Sequence, residues 1–293
     1  MGSGVWTANA YATYATSTGR ATDCINGVTT LSSNYKAQDL FTSARLQSEL
    51  NPYKVIRECL DTEEHPNTVP VILALDVTGS MGDAAAEVAK KLNEVMTKLY
   101  ERVTDVEFMI MGIGDLAYDR APLQLSQFES DIRIAEQLDK VYFEGGGGGN
   151  SYESYTGAWY LGLHHTKLDC WKRGRKGVII TMGDEPLNPY LPKDSLARVT
   201  GDNLQGDVET KDLYRDAVEK FDIYHLAVND RETSFNLYDD EIRETFSKYL
   251  DSDHLKVVSL DNIASTIISI VSKCADNVAE EAVCTNMNSE ISW

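Results

Sequence analysis

Three oxygen-bearing side chains occupy alternate positions directly after an apolar run, in the stretch VILALDVTGSMG. They are Asp76, Thr78 and Ser80, a carboxylate and two hydroxyls of the hard-oxygen type that Mg²⁺ and Ca²⁺ prefer as ligands. Because the three residues alternate, an extended turn can aim both hydroxyls at one point with Asp76 behind them. The same stretch also fits a simpler interpretation, a strand end followed by a helix with Ser80 as its cap. On this fragment alone neither interpretation is favoured.

Two further stretches carry oxygen donors at comparable places. The stretch GGGGGNSYESYTGAW is a glycine-rich loop that enters a helix predicted from about Glu153 to His165, and it offers Asn150, Ser151 and Glu153. The stretch IITMGDEP ends a predicted buried strand with Asp184 and Glu185. In an open α/β sheet, ligands bind beyond the carboxyl ends of the strands. We therefore expect all three segments to meet at one edge of a sheet.

The elements that must position these residues alternate regularly from residue 69 onward. Apolar runs typical of buried strands are VPVILALD, VEFMIMGIG, GVIITMG, IYHLAV and LKVVSL, with PLQLSQF as an edge-strand candidate. Segments with apolar residues at helical spacing lie between them. This alternation predicts an α/β fold with a mostly parallel sheet covered by helices on both faces.

Three regions are distinguished along the chain. Residues 1–68 are rich in Ser, Thr, Ala and Asn but include aromatic residues, so we expect a partly ordered N-terminal extension that packs on the following domain. Residues 69–274 form the α/β domain, and residues 275–293 are predicted to be an acidic polar tail.

Composition limits the classes of partner. The formal net charge is −19, which argues against nucleic acid and against an anionic membrane surface, because both attract Lys and Arg. The charge instead suits a cation or a basic partner. The first residues lack the features of a secretory signal, and the five cysteines are scattered, which favours reduced thiols. We therefore expect a cytoplasmic protein.

Taken together, LDVTGSM after an apolar strand, the glycine-rich loop and ITMGDEP resemble a von Willebrand factor A-type (vWA) domain with a metal-ion-dependent adhesion site. The resemblance implies a Rossmann-like fold with a central sheet of about six strands. It implies one divalent ion, with Mg²⁺ as the first choice and Mn²⁺ or Ca²⁺ as alternatives. Asp76, Thr78 and Ser80 match the first motif of the family. The overall form resembles bacterial intracellular members, which implies protein partners that include ring-forming ATPases.

The other two motifs depart from the family pattern. The family takes a Thr from the loop after its third strand, where this chain offers Asn150, Ser151 and Glu153. The later Asp commonly follows a Thr directly, whereas here it is shifted to Asp184. The resemblance thus implies a metal site of Asp76, Thr78, Ser80 and Asp184 with Asn150 and Glu153 from the loop. A further strand-end acid, Asp115, could either surround the site or be an ordinary loop residue, and we favour the loop interpretation.

The leading hypothesis is a non-enzymatic protein-binding module in which a partner's acidic side chain completes the coordination of the ion. The alternative is a metal-dependent phosphohydrolase of the haloacid-dehalogenase type that uses Asp76. Such enzymes carry a second Asp two residues later as general acid, where this chain has Thr78, and a later Lys, for which only Lys193 is at hand. Nucleotide binding is disfavoured because the glycine-rich loop lacks the Lys-Ser/Thr pair of a phosphate-binding loop.

Overall fold

The structure is a computed structural model, and it describes residues 4–25, 27–103, 105–144, 152–229 and 239–275. The strands are β1 (Thr22–Ile25), β2 (Val28–Leu31), β3 (Arg57–Cys59), β4 (Val69–Asp76), β5 (Val106–Ile113), β6 (Leu123–Leu125), β7 (Thr166–Leu168), β8 (Gly177–Gly183), β9 (Tyr190–Leu191), β10 (Val208–Glu209), β11 (Phe221–Val228) and β12 (Leu255–Val258). The α-helices are α1 (Ala8–Ser17), α2 (Ala37–Leu40), α3 (Gly82–Tyr100), α4 (Arg133–Leu138), α5 (Thr156–His164), α6 (Lys193–Thr200), α7 (Thr210–Ala217), α8 (Asp239–Phe246) and α9 (263–275).

A six-stranded sheet with the order β12-β11-β8-β4-β5-β6 forms the centre of the molecule. Its strands are parallel except for β6, which pairs antiparallel with β5 at one edge. The sequence predicted this mostly parallel sheet and its edge strand, and both predictions are confirmed. Because β4 lies between the parallel strands β5 and β8, the loops that follow these three strands meet at the carboxyl edge.

The two faces of the sheet bury separate apolar cores. Alternate residues of β4 divide between them: Leu73 packs with the core that includes α3, α4 and α9, and Ile72 packs with the core that includes α5, α7 and α8. This two-residue period explains why β4 reads as one unbroken apolar run, since both of its faces are covered. Helices therefore flank both faces, as predicted.

The N-terminal segment contributes side chains to the first of these cores. Trp6 and Tyr11 are almost fully buried there, and the indole Nε1 of Trp6 donates a hydrogen bond of 2.7 Å to Oδ1 of Asn93 on α3. The hairpin of β1 and β2 also lies against α3. Residues before position 68 therefore share a core with residues after it. The domain boundary predicted at residue 68 stays a prediction.

Sequence reasoning did not find some local features. Strand β3 pairs in parallel with β7 outside the central sheet, and α5 begins at Thr156 rather than at Glu153. The predicted tail, beyond residue 275, lies outside the described residues. In the ranges that the structure describes, no helix combines the length and apolar character needed to cross a membrane.

Candidate functional site

Asp76 is the last residue of β4 and is completely buried. Its Oδ1 accepts hydrogen bonds from the backbone N–H of Thr78 at 2.9 Å and from the Thr78 hydroxyl at 2.5 Å. Its Oδ2 accepts a hydrogen bond of 2.8 Å from the hydroxyl of Tyr155. Burial raises the pKa of Asp76 to about 7, and the negative charge of Asp184 acts in the same direction. The Thr78 hydroxyl thus lies against the Asp76 carboxylate.

Ser80 and Asp184 approach each other from different loops. Ser80 lies in a short 3-10 helix that precedes α3, and its hydroxyl donates a hydrogen bond of 3.1 Å to Oδ1 of Asp184, directly after β8. Burial raises the pKa of Asp184. Four of the predicted site residues therefore form two hydrogen-bonded pairs at the carboxyl ends of β4 and β8, Asp76 with Thr78 and Ser80 with Asp184.

Glu153 lies in the segment that leads into α5 and pairs through a single β-bridge with Leu187. Its side chain is only 2% exposed, and its Oε2 has no hydrogen-bond partner among the residues that the structure describes. Burial together with the charges of Asp76, Glu185 and other carboxylates raises the pKa of Glu153 to about 10. An acid in this environment is costly to ionise unless a cation approaches it.

Three further acids extend the cluster, and sequence reasoning had not placed any of them in the site. The pKa of Glu185 is raised to about 7 by burial and by the charges of Asp76, Asp184 and Asp115. Asp115, interpreted from the sequence as a loop residue, is buried after β5 and also acts on Glu153. The pKa of Asp119 is raised to about 6, by burial first. The position of Asp115 at a strand end was the available signal.

Tyr155 is a further site residue that sequence reasoning missed. It is completely buried, and its hydroxyl, besides donating to Asp76, accepts a hydrogen bond of 3.3 Å from the backbone N–H of Glu185. Gly183 makes room for this arrangement, because a Cβ at that position would lie 1.9 Å from the Tyr155 hydroxyl oxygen. Tyr155 therefore links the end of β4 to the loop after β8.

Behind Tyr155 lies a buried histidine of β11. The ring of His225 is stacked on Phe246 with centroids 3.8 Å apart, and its Nδ1 lies 2.8 Å from the hydroxyl of Thr181. Burial lowers the pKa of His225 to about 3. It is therefore a neutral core residue.

The donors present fit a divalent cation bound by oxygen. The charges acting most strongly on Asp76, Glu153 and Glu185 are those of other carboxylates. The buried Oε2 of Glu153 is an acceptor that has no hydrogen-bond partner among the described residues. Among the described residues no three His, Cys, Asp or Glu side chains are grouped so as to hold a metal without other donors. A site here would therefore combine carboxylates with the hydroxyls of Thr78 and Ser80. Asn150 and Ser151, the other loop candidates, lie outside the described residues.

The fold is similar to that of solved pilus proteins. No family model matches the sequence, and no curated protein matches it. The structure of the pilus adhesin SpaC from Lactobacillus rhamnosus GG matches with a TM-score of 0.50 and 12% identity, over 77% of this chain and 32% of SpaC. The fold prediction is confirmed. The chain has an α/β fold with a six-stranded, mostly parallel central sheet, similar to that of SpaC.

Two further structures match at lower scores. The vWF domain of the type V pili tip protein Mfa5 from Porphyromonas gingivalis has a TM-score of 0.43 and 13% identity, covering 72% of this chain and 96% of that domain. The protein BatB from Bacteroides thetaiotaomicron has a TM-score of 0.40 and 18% identity, covering 71% and 99%. This chain spans about a third of SpaC.

The predicted cytoplasmic location is wrong. SpaC, the similar structure with a TM-score of 0.50, is a pilus adhesin and so a protein of the cell surface. The predicted bacterial intracellular type stays a prediction. The predicted location depended on the residues that follow Met1 and on unpaired cysteines. Neither feature restricts where a vWA-type fold is used.

Proposed function

We propose that this chain is a non-enzymatic protein-binding module that holds a divalent cation at the carboxyl edge of its sheet and uses it to bind an acidic side chain of a partner. The observation that carries the proposal is the buried Glu153, whose Oε2 has no hydrogen-bond partner in the described ranges and which lies among carboxylates. A cation relieves the repulsion within such a cluster. The similarity to a pilus adhesin agrees with an adhesive, protein-binding role.

The roles follow from the chemistry of each donor. The hydroxyls of Thr78 and Ser80 are neutral ligands, and Asp76 and Asp184, already hydrogen-bonded to them, supply negative charge. The bound cation supplies a centre of positive charge that attracts a carboxylate. Mg²⁺ is the first candidate, because this small set of hydroxyl and carboxylate oxygens leaves positions for water and for a partner's oxygen. Mn²⁺ and Ca²⁺ are the alternatives.

Glu153 determines how strongly the site attracts an acid. A third carboxylate held directly on the cation would reduce its remaining positive charge and thus its affinity for the partner's carboxylate. We therefore assign Glu153 to the surroundings of the site, where it attracts the cation, and leave the loop ligand to Asn150 or Ser151. The ring ATPase expected as a partner remains a prediction that no contact in the site favours.

A phosphohydrolase role finds no support in the surroundings of Asp76. The position of the general acid is held by Thr78, whose hydroxyl donates to Asp76 itself. Lys193, which would have to steady the phosphorylated Asp, directs its ammonium to the carbonyl of Gln205 at 3.5 Å. A non-enzymatic role is therefore the better hypothesis.

The test is thermal unfolding in EDTA and then in Mg²⁺, Mn²⁺ or Ca²⁺, for the wild type, Ser80→Ala and Ser265→Ala. Ser80 is exposed, so its replacement leaves the core intact, and Ser265 is an exposed serine on α9 with a comparable single hydrogen bond. At a hundredfold excess over Kd, a cation stabilises the protein by about 2.7 kcal/mol. We expect this gain in the wild type and in Ser265→Ala and a much smaller gain in Ser80→Ala. Equal gains in all three proteins, or none in the wild type, would refute the proposal.

A further inference from the structure

A groove with a cavity volume of about 190 Å³ lies between the segment before β3, the loop into β6 and helix α6. Its floor is apolar and includes Leu123 and Val199, while Tyr53, Arg120 and Arg198 stand at its rim. The two arginines and Tyr53 are exposed. Tyr and Arg over an apolar floor are the residue types enriched at protein–protein interfaces.

The charge of the groove is opposite to that of the chain. The molecule has a formal net charge of −19, yet none of the described residues that line the groove is acidic. In the part of the chain that the structure describes, neither Arg120 nor Arg198 forms an ion pair, whereas Arg20, Arg133, Arg173 and Arg215 each do. Two guanidinium groups are therefore available to a ligand's carboxylates.

A third cation, Lys54, follows the groove residue Tyr53 in a constrained turn. Lys54 has a φ of 55°, and it is the one residue other than glycine with positive φ among the described residues. Its backbone N–H donates to the carbonyl of Thr200 at 2.8 Å, and its Nζ lies 5.4 Å from the centre of the Tyr53 ring. Gly201 lies so close that a Cβ there would be 2.7 Å from Cγ of Lys54. The turn that follows Tyr53 is thus constrained by its own backbone contacts.

The loop 114–122 connects the groove to the candidate cation site. Asp115 and Asp119 are joined within it by a hydrogen bond of 2.7 Å from the backbone N–H of Asp115 to Oδ2 of Asp119. These acids belong to the cluster around Glu153. The next residues of the same loop, from Arg120 to Pro122, line the groove. A segment bound in the groove therefore lies beside the edge that we propose holds the cation.

We propose that this groove binds a glutamate-rich segment of the protein partner. Its carboxylates pair with Arg120 and Arg198, and the aliphatic parts of its side chains cover the apolar floor. Binding in the groove does not depend on a cation. Only the additional contact of one carboxylate with the cation rests on the proposed function.

The experiment measures the fluorescence anisotropy of a labelled hexaglutamate peptide, with hexaglutamine as the uncharged comparison, in EDTA and in Mg²⁺. The groove is altered by Arg120→Gln with Arg198→Gln. The matched control neutralises two exposed arginines elsewhere, Arg102→Gln with Arg243→Gln, so that both double variants have the same net charge. Ser80→Ala tests the contribution of the cation.

We expect wild type to bind hexaglutamate but not hexaglutamine, in EDTA as well as in Mg²⁺. The groove variant should lose about tenfold or more in affinity, which corresponds to about 1.4 kcal/mol, while the control variant changes by less than about twofold. Equal losses in the two double variants, equal binding of the two peptides, or no binding by wild type would overturn the proposal.

The same data separate the two proposals. If Mg²⁺ adds no affinity but the groove arginines matter, the cation function fails and the groove stands. If Mg²⁺ adds affinity that Ser80→Ala removes but the groove arginines do not matter, the groove proposal fails and the cation function stands.

Discussion

Replacing Glu153 with Gln is expected to stabilise the protein when no cation is present. The pKa of Glu153 is raised from 4.5 to about 10, so at pH 7 folding makes this side chain take up a proton. This uptake lowers the free energy of unfolding by about 1.36 kcal/mol for each pH unit between 4.5 and 7, or about 3 kcal/mol in total. This figure depends little on the folded pKa, provided that it stays above 7. Gln is neutral at every pH and avoids the cost.

The sign of the pH dependence follows from the raised pKa. Because the folded pKa lies above the unfolded one, the cost is absent below pH 4.5 and grows as the pH rises toward 10. Urea unfolding in EDTA should therefore give Glu153→Gln and the wild type similar free energies of unfolding at pH 4.5, and the variant an advantage of about 3 kcal/mol at pH 7.

A cation should reduce the difference in the free energy of unfolding between Glu153→Gln and the wild type at pH 7. It stabilises the ionised Glu153 of the wild type, whereas the neutral Gln offers it no negative charge. The matched control is Glu101→Gln at the exposed end of α3, which should change stability little at either pH. If Glu153→Gln is less stable than the wild type at pH 7 in EDTA, or if its advantage is the same at pH 4.5 and pH 7, the assignment of Glu153 as a buried acid without a counter-ion is wrong.

Three further predictions concern the frame of the site. Gly183→Ala should destabilise the protein by about 1–3 kcal/mol in urea unfolding, because its Cβ would overlap the hydroxyl of Tyr155, whereas Gly206→Ala, where nothing lies within 4 Å, should cost little. His225→Gln should flatten the acid side of the stability curve. The pKa of His225 falls from 6.5 to about 3 on folding, so as the pH falls the unfolded state takes up a proton before the folded state does. The free energy of unfolding of the wild type should therefore fall by about 3 kcal/mol relative to that of the variant between pH 7 and pH 4. Trp6→Ala should lower the free energy of unfolding by about 3 kcal/mol, and an unchanged thermal melt would show that the N-terminal segment adds no stability.

The sheet could be predicted from the sequence because its signal is local. Strands buried on both faces need apolar residues at every position, and the helices between them need a 3.6-residue period, so the two patterns alternate visibly along the chain. Strand β3 shows why prediction stopped there. It has three residues and pairs with β7, more than 100 residues later, and nothing within so short a run indicates a partner at that distance.

The candidate site could be predicted only where its residues follow a motif. Asp76, Thr78 and Ser80 lie within five residues of one another, so their spacing indicated a common target. Tyr155 could not be found this way, because its role depends on the actual start of α5 at Thr156. A helix beginning at Glu153 would have directed the tyrosine hydroxyl differently. The acids of the 114–122 loop are likewise ordinary loop residues until the fold brings them beside Glu153.

Local charge, rather than net charge, determines the kind of partner that fits this edge of the molecule. A formal charge of −19 favours a basic partner over most of the surface. A basic segment would nevertheless be repelled by Arg120 and Arg198 in the groove and by a cation held among the carboxylates beside it. An acidic segment is attracted to both places at once, and its approach is opposed only by the general negative field, which salt screens within about 8 Å at physiological ionic strength. Added salt should therefore strengthen capture of an acidic segment in the range where screening removes long-range repulsion, and weaken it only once the arginine contacts themselves are screened.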